Sequence, residues 1–190
     1  MLWFYESFFP VVWIVFLLYW NIKAANTKTT QRLESAASRI LRVFIFLIAI
    51  ILLSIPRIPL PWLYLQLWPV GLWPFWLGAA VTIAGLLFAI WAREHLGTNW
   101  SRSVTIKLGH ELITTGPYAV VRHPIYTGIL TGFFGMAIAV SQVRGFIAFV
   151  LVFLALWIKL RMEEQWMRSQ FGEAYDTYAN QTAALVPYLL

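Results

Sequence analysis

Thirteen residues, GPYAVVRHPIYTG (116–128), bring Tyr118, Arg122, His123 and Tyr126 together with two prolines. All three histidines of the chain, His95, His110 and His123, fall in or beside segment 92–123, with Glu94, Asn99, Ser101, Arg102, Ser103 and Glu111. Two further carboxylates, Glu163 and Glu164, follow in the C-terminal part. Side chains of these types can hold a charged ligand, move a proton or ligate a metal. A metal is disfavoured: the histidines stand 15 and 13 residues apart, with no HxxxH or HExxH pair and no cysteine. There is no GxSxG elbow for nucleophilic hydrolysis and no GxG for a Rossmann nucleotide site. A proton or ion path would place carboxylates or histidines within membrane spans, and none lies mid-span here. Singly, each piece has a plain structural use. Gly116-Pro117 makes a turn, Arg122-His123 anchors at an interface, Pro124 opens a helix, and Glu163-Glu164 ends one in solvent. Their conjunction in one order points to a site.

The elements that must position these residues are membrane helices. The 190-residue chain is 61% hydrophobic and 12% charged, with eleven Trp, whereas a soluble domain is about half apolar and about a quarter charged. The sequence therefore reads as an all-α integral membrane protein of one domain, 1–190, with about five transmembrane helices. Spans are expected near 3–21, 40–55, 75–91, 124–139 and 145–160, the first retained rather than cleaved as a signal peptide. Residues 1–92 hold the first three. Residues 93–190 hold the polar loop, the last two spans and an amphipathic C-terminal segment that folds back over the loop. Residues 31–42 read as a helix along the membrane surface, and the proline-rich stretch after Pro56 as a Trp-rich interfacial loop. Gly128 and Gly132 have the spacing of close helix approach, although ordinary packing is the expectation.

Of the 14 basic residues, twelve fall on one side if the N-terminus is outside, leaving Arg57 and Arg144 opposite. The positive-inside rule then puts the polar loop and the C-terminus in the cytoplasm. The net charge of +6 reads as topology and attraction to anionic lipid; no nucleic-acid-binding stripe is present.

HELITTGPYAVVRHPIYTGIL (110–130), followed by EEQWMRSQFGEAYDTY (163–178) and VPYL (186–189), resembles the isoprenylcysteine carboxyl methyltransferase family and the related phospholipid methyltransferases. The resemblance covers roughly residues 93–190. It implies S-adenosylmethionine as methyl donor, held by the cytoplasmic loop and C-terminal segment. The implied cofactor contacts are His110, Glu111, Leu112, Ile113, Tyr118, His123, Pro124, Ile125, Tyr126 and Glu163. It also implies a lipophilic acceptor arriving from the bilayer. The arginine that holds an acceptor carboxylate in the eukaryotic enzymes is matched here by Lys159, with Arg161 two residues on.

Methyl transfer from a sulfonium is an in-line displacement, so positioning and exclusion of water are the protein's main tasks. A carboxylate acceptor needs no base. An amine acceptor must be neutral, and His123 or Glu163 would then serve. Tyr118 and Tyr126 suit an adenine, and Arg122 or Arg102 could meet the cofactor carboxylate. Glu163 is expected at the cofactor, with Glu164 facing Lys159, Arg161 or solvent. The alternatives are phosphatidylethanolamine N-methylation and, from another class, an NADPH-dependent sterol-type reductase. The acceptor and the oligomeric state stay open.

Overall fold

The structure, a computed structural model, describes residues 2–24, 30–55, 58–100, 105–107 and 112–187. Five apolar helices dominate: α1 (Leu2–Ala24), α2 (Ala36–Ser54), α3 (Leu72–Leu96), α4 (Pro124–Val140) and α5 (Val143–Phe171). A short polar helix, α6 (Glu173–Gln181), follows. Helices α2, α3 and α5 are long and apolar enough to cross a bilayer, while Ser7–Lys23 and Pro124–Val140 are shorter apolar helices. Large apolar side chains such as Ile14, Leu18, Phe44, Leu47 and Trp76 are exposed on the outside of the bundle, where a lipid environment removes the cost of leaving them uncovered.

The seam between α3 and α4 is built from glycine. A methyl added to Gly85 would sit 2.6 Å from the Gly128 carbonyl oxygen, and one on Gly128 would run into the Gly85 carbonyl. Gly78 and Gly135 oppose each other in the same way. Thr82 Oγ1 donates to the Gly132 carbonyl at 3.0 Å from this seam. The two backbones approach this closely because no side chain separates them. Ordinary packing, expected from sequence, is thus replaced by backbone-to-backbone contact. Gly128 and Gly135 are the α4 half of the pattern, and Gly85 and Gly78 are the α3 half.

Helix α2 starts at Ala36, ahead of the expected span at 40–55. Residues 31–42 are not a separate surface helix: Thr30–Leu33 is a strand, β1, pairing antiparallel with β2 (Thr105–Lys107), and 36–42 are the first turns of α2. Ser35 then caps α2 by accepting from the Ser38 amide at 3.3 Å. Arg42, placed at the membrane surface by composition, is buried and ion-paired with Glu34. A buried arginine needs such a partner, which fixes the turn from β1 into α2.

The α4–α5 turn is Ser141–Gln142, with Ser141 left-handed at φ 59°. Its far side is clasped by the Trp-rich loop, where the Leu67 amide donates to the Ser141 carbonyl at 2.9 Å. Arg144 donates to the Leu52 and Ile55 carbonyls at 3.1 and 2.9 Å, capping the end of α2. Helix α5 has 29 residues. At about 1.5 Å per residue it spans roughly 43 Å, against a hydrocarbon core of about 30 Å. Its last turns, from Arg161 onward, carry the polar residues beyond the apolar stretch. Gly172, at φ +54°, ends α5 and starts α6.

Candidate functional site

The opening motif forms a turn and a helix start. Gly116–Ala119 is a 3-10 turn whose Gly116 has φ +60°. A side chain there would strike the His95 ring, and His95 Nε2 lies 2.9 Å from Thr115 Oγ1. Pro124 is the first residue of α4, where its missing amide costs nothing. The C-terminal segment runs alongside: the Arg122 and His123 amides donate to the Ala183 and Ala184 carbonyls at 2.8 and 3.0 Å. Thr127 Oγ1 donates to the Leu185 carbonyl at 2.7 Å. The start of α4 thereby finds partners for amides its own helix leaves unpaired.

Two carboxylates from α5 meet this segment. Tyr126 Oη donates to Glu163 Oε2 at 2.6 Å. The His123 ring stacks on Tyr126 with 5.4 Å between centroids and a 4° interplanar angle. It presents Nδ1 to Glu163 at 3.6 Å and Nε2 to Glu164 at 3.5 Å. His123 Nε2 is buried and has no hydrogen-bond partner. Because the ring turns opposite nitrogens to the two carboxylates, these groups do not converge on one point. Among the described residues no group of three or more metal-ligating side chains is placed to hold a metal.

Lys159 lies 3.7 Å from Glu163, one helical turn away, with its ammonium over the Tyr126 ring at 5.2 Å. Arg161 is exposed. Glu164 is buried and takes Arg122 Nε at 2.8 Å and Arg168 NH1 at 3.9 Å. It therefore faces neither Lys159, Arg161 nor solvent, as sequence had suggested. The i,i+4 spacing assigns Lys159 to Glu163 and Arg168 to Glu164. Arg122 also donates to the Ala179 carbonyl at 2.8 Å and to the Thr182 carbonyl, so its guanidinium is spent on the protein.

Tyr118 is buried and serves the fold. Its hydroxyl donates to the Ala92 carbonyl at 3.4 Å, and its own carbonyl accepts from Tyr178 Oη at 2.6 Å. Burial pushes the Tyr118 and Tyr175 hydroxyls well above the ordinary range and Tyr178 up to about 12. Pro124, Ile125 and Tyr126 are buried, and Leu112 and Ile113 partly so. His110, Glu111 and Arg102 lie outside the described residues. Sequence reading missed Thr127, Tyr178 and Leu185 as supports of the site. Tyr178 carried a signal in its helical spacing from Tyr175; Thr127 and Leu185 carried none.

The phospholipid methyltransferase family pattern matches residues 73–174. A nickel-cobalt-cadmium resistance protein of Alcaligenes xylosoxydans xylosoxydans is 29% identical over 116 residues, 60% of this chain and 53% of that protein. The protein-S-isoprenylcysteine O-methyltransferase of Schizosaccharomyces pombe is 33% identical over 105 residues, 52% of this chain and 43% of that protein. The chain thus matches about half the length of these relatives. Among solved structures, the eukaryotic intramembrane Ras methyltransferase, isoprenylcysteine carboxyl methyltransferase, superposes with a TM-score of 0.58 at 22% identity, covering 80% of this chain and 52% of that one. The apolar helices and this shared fold make the protein a multi-pass integral membrane protein. With the family pattern matched across more than half of its length, the chain belongs to the phospholipid methyltransferase family.

Proposed function

We propose that the protein is an S-adenosylmethionine-dependent methyltransferase acting on a lipid-like acceptor, in the manner of the isoprenylcysteine carboxyl methyltransferases. The observation that carries this reading is the pairing of His123–Tyr126 with Glu163 at the polar end of α5. The donor set suits the cofactor: a carboxylate for an ammonium or sulfonium, an imidazole for a polar edge, and the Leu112–Ile113 backbone for the remainder.

S-adenosylmethionine supplies an electrophilic methyl group on a sulfonium. The chain's own residues do the rest. Tyr126 holds Glu163 in one orientation by its 2.6 Å hydrogen bond, so the carboxylate is preorganised for a cation. His123 Nε2 makes no hydrogen bond within normal length, its nearest carboxylate being Glu164 at 3.5 Å. Residues 183–185 cover the start of α4 and keep bulk water away from it. Lys159, one turn deeper toward the apolar part of α5, puts a positive charge where an acceptor headgroup would enter. His110 and Glu111 complete the proposed cofactor contacts, in a single site spanning 93–190 supported by spans 1–92.

The site faces the cytoplasm in this reading, with the N-terminus outside. Cysteines placed at Ala37 and Ser169 of the cysteine-free chain should react only with reagents that reach the cytoplasm, and one at Val70 only from outside. Reaction of Ser169→Cys from outside would reverse the orientation.

The functional test is calorimetric titration of purified protein with S-adenosylhomocysteine and with NADPH. Labelled methyl donor is then supplied with farnesylcysteine or phosphatidylethanolamine, and products are identified by mass spectrometry. Binding of S-adenosylhomocysteine alone and a methyl ester product are expected. Binding of NADPH alone would favour a reductase, and binding of neither would leave a non-catalytic membrane protein.

A further inference from the structure

We propose that Thr127 is a positioning residue for His123, acting through the C-terminal strap formed by residues 182–187. The inference rests on the methyltransferase reading, in which His123 is a cofactor contact. The strap docks on the start of α4 through three consecutive carbonyls. Ala183 accepts from the Arg122 amide at 2.8 Å and Ala184 from the His123 amide at 3.0 Å. Leu185 accepts from Thr127 Oγ1 at 2.7 Å. The first two donors are main-chain groups that almost any residue would supply. The third is a side-chain hydroxyl, so its bond is the one that depends on residue type.

The Thr127 hydroxyl sits between two carbonyl oxygens, 2.7 Å from that of Leu185 and 3.2 Å from that of His123. It has one hydrogen to give, and the shorter contact is the one to the strap. Thr131, one turn on, shows the ordinary use of such a hydroxyl, donating to the Thr127 carbonyl at 2.8 Å within its own helix. His123 depends on support from outside α4. It is the N-cap at φ −124° and ψ 58°, neither helical nor extended, and its side chain makes no capping bond. Its amide is held by Ala184, and its carbonyl accepts from the Thr127 amide at 3.0 Å. The Thr127 hydroxyl closes this ring at Leu185. The Arg122 guanidinium secures the start of the strap at the Thr182 carbonyl, and Thr127 secures it beyond His123. Leu185 is only 1% exposed, so bulk water cannot readily replace the hydroxyl, and an unsatisfied buried acceptor is costly. Without that donor the strap shifts toward water and draws the Ala184 carbonyl off the His123 amide. The imidazole then leaves its 5.4 Å stack on Tyr126 and its places 3.6 and 3.5 Å from Glu163 and Glu164. Affinity for a ligand that needs this arrangement falls with the competent fraction.

The test uses the full chain in nanodiscs. Thr127→Val keeps the shape and removes the hydroxyl, Thr127→Ser keeps the hydroxyl, and Thr131→Val is the control on the same helix. Hydrogen–deuterium exchange is followed in ligand-free protein for peptides covering 118–124, which carry the Arg122 and His123 amides. Imidazole signals are recorded by NMR on protein isotopically labelled at its three histidines, with His123 assigned by its loss in His123→Gln. Affinity for S-adenosylhomocysteine is measured in parallel. Thr127→Val should speed exchange in 118–124, move the His123 signal and weaken S-adenosylhomocysteine by roughly threefold to tenfold. Thr127→Ser should restore all three, and Thr131→Val should match the parent. An unchanged exchange, imidazole signal or affinity in Thr127→Val would overturn the proposal. So would the same losses in Thr131→Val, which would trace them to any hydroxyl on α4, or a failure of Thr127→Ser to restore them. Should Thr127→Val not fold, Thr127→Ala takes its place beside Thr127→Ser. If the parent itself does not bind S-adenosylhomocysteine, the methyltransferase reading fails, and the exchange and imidazole measurements still decide whether Thr127 sets His123.

Discussion

Arg122 and Glu164, 42 residues apart in sequence, form a buried ion pair at 2.8 Å that fastens the approach to α4 onto the polar end of α5. The same guanidinium holds the Ala179 and Thr182 carbonyls, so three segments meet on one side chain. Breaking a buried pair by removing one partner costs about 3–5 kcal/mol, largely because the remaining charge is stranded. Arg122→Gln and Glu164→Gln should each lower the unfolding midpoint markedly, and the double variant should lose less than the sum. Thermal unfolding in detergent checks this. Strict additivity would mean that the pair is not coupled.

Glu163 has the opposite profile. It is more exposed than Glu164, and its partners are Tyr126, Lys159 and His123. Glu163→Gln should leave the unfolding free energy within about 1 kcal/mol of the parent but weaken S-adenosylmethionine by at least roughly tenfold. Calorimetric titration of Glu163→Gln and Glu164→Gln side by side separates binding from stability. The assignment of Glu163 fails if Glu164→Gln proves the weaker binder at full folding.

The α3–α4 seam gives a prediction about size alone. Gly128→Ala places a methyl against the Gly85 backbone, which cannot move aside as a side chain would. Overpacking of this kind costs about 1–3 kcal/mol, and more against rigid backbone. Gly71→Ala, with nothing within 4 Å of the added atom, should be close to neutral. Folded yield and unfolding midpoint of the two variants make the comparison.

The buried tyrosines set an alkaline limit. Burial raises Tyr118, Tyr175 and Tyr178, the last to about 12, against an unfolded value near 10. A raised pKa means that the folded state holds its proton more tightly. The associated stability is therefore complete below about pH 10 and is lost as pH rises toward and through the folded values. Unfolding midpoints should be flat with respect to these groups up to about pH 10 and fall above it. Tyr178→Phe, which also removes the hydrogen bond to the Tyr118 carbonyl, should begin lower and fall less steeply.

The helices were legible because each is a long apolar run, and the α4–α5 turn because two such runs stand only a few residues apart. The β1–β2 pairing was not, since Thr30–Leu33 and Thr105–Lys107 are too short to show alternation and find each other across 70 residues. Arg42 misled for a related reason: beside other cations it reads as surface, and only folding brings Glu34 to it. At the site, residue types identified the neighbourhood but not the pairing. Tyr118 and Arg122 are polar and lie in the motif, yet the fold consumes both.

A seam in which two backbones touch has no rotamers to exchange. Helices α3 and α4 must therefore move as one rigid post, and any opening of the bundle to admit or release a molecule from the lipid phase falls to other elements. Among the described side chains only Phe16 of α1 and only Arg42 and Ala49 of α2 are buried, against ten of α3, so α1 and α2 are the elements held least by the protein's own core. Glycine thus divides the molecule mechanically, giving it a fixed column that carries the His123–Tyr126 segment and a looser wall facing the bilayer.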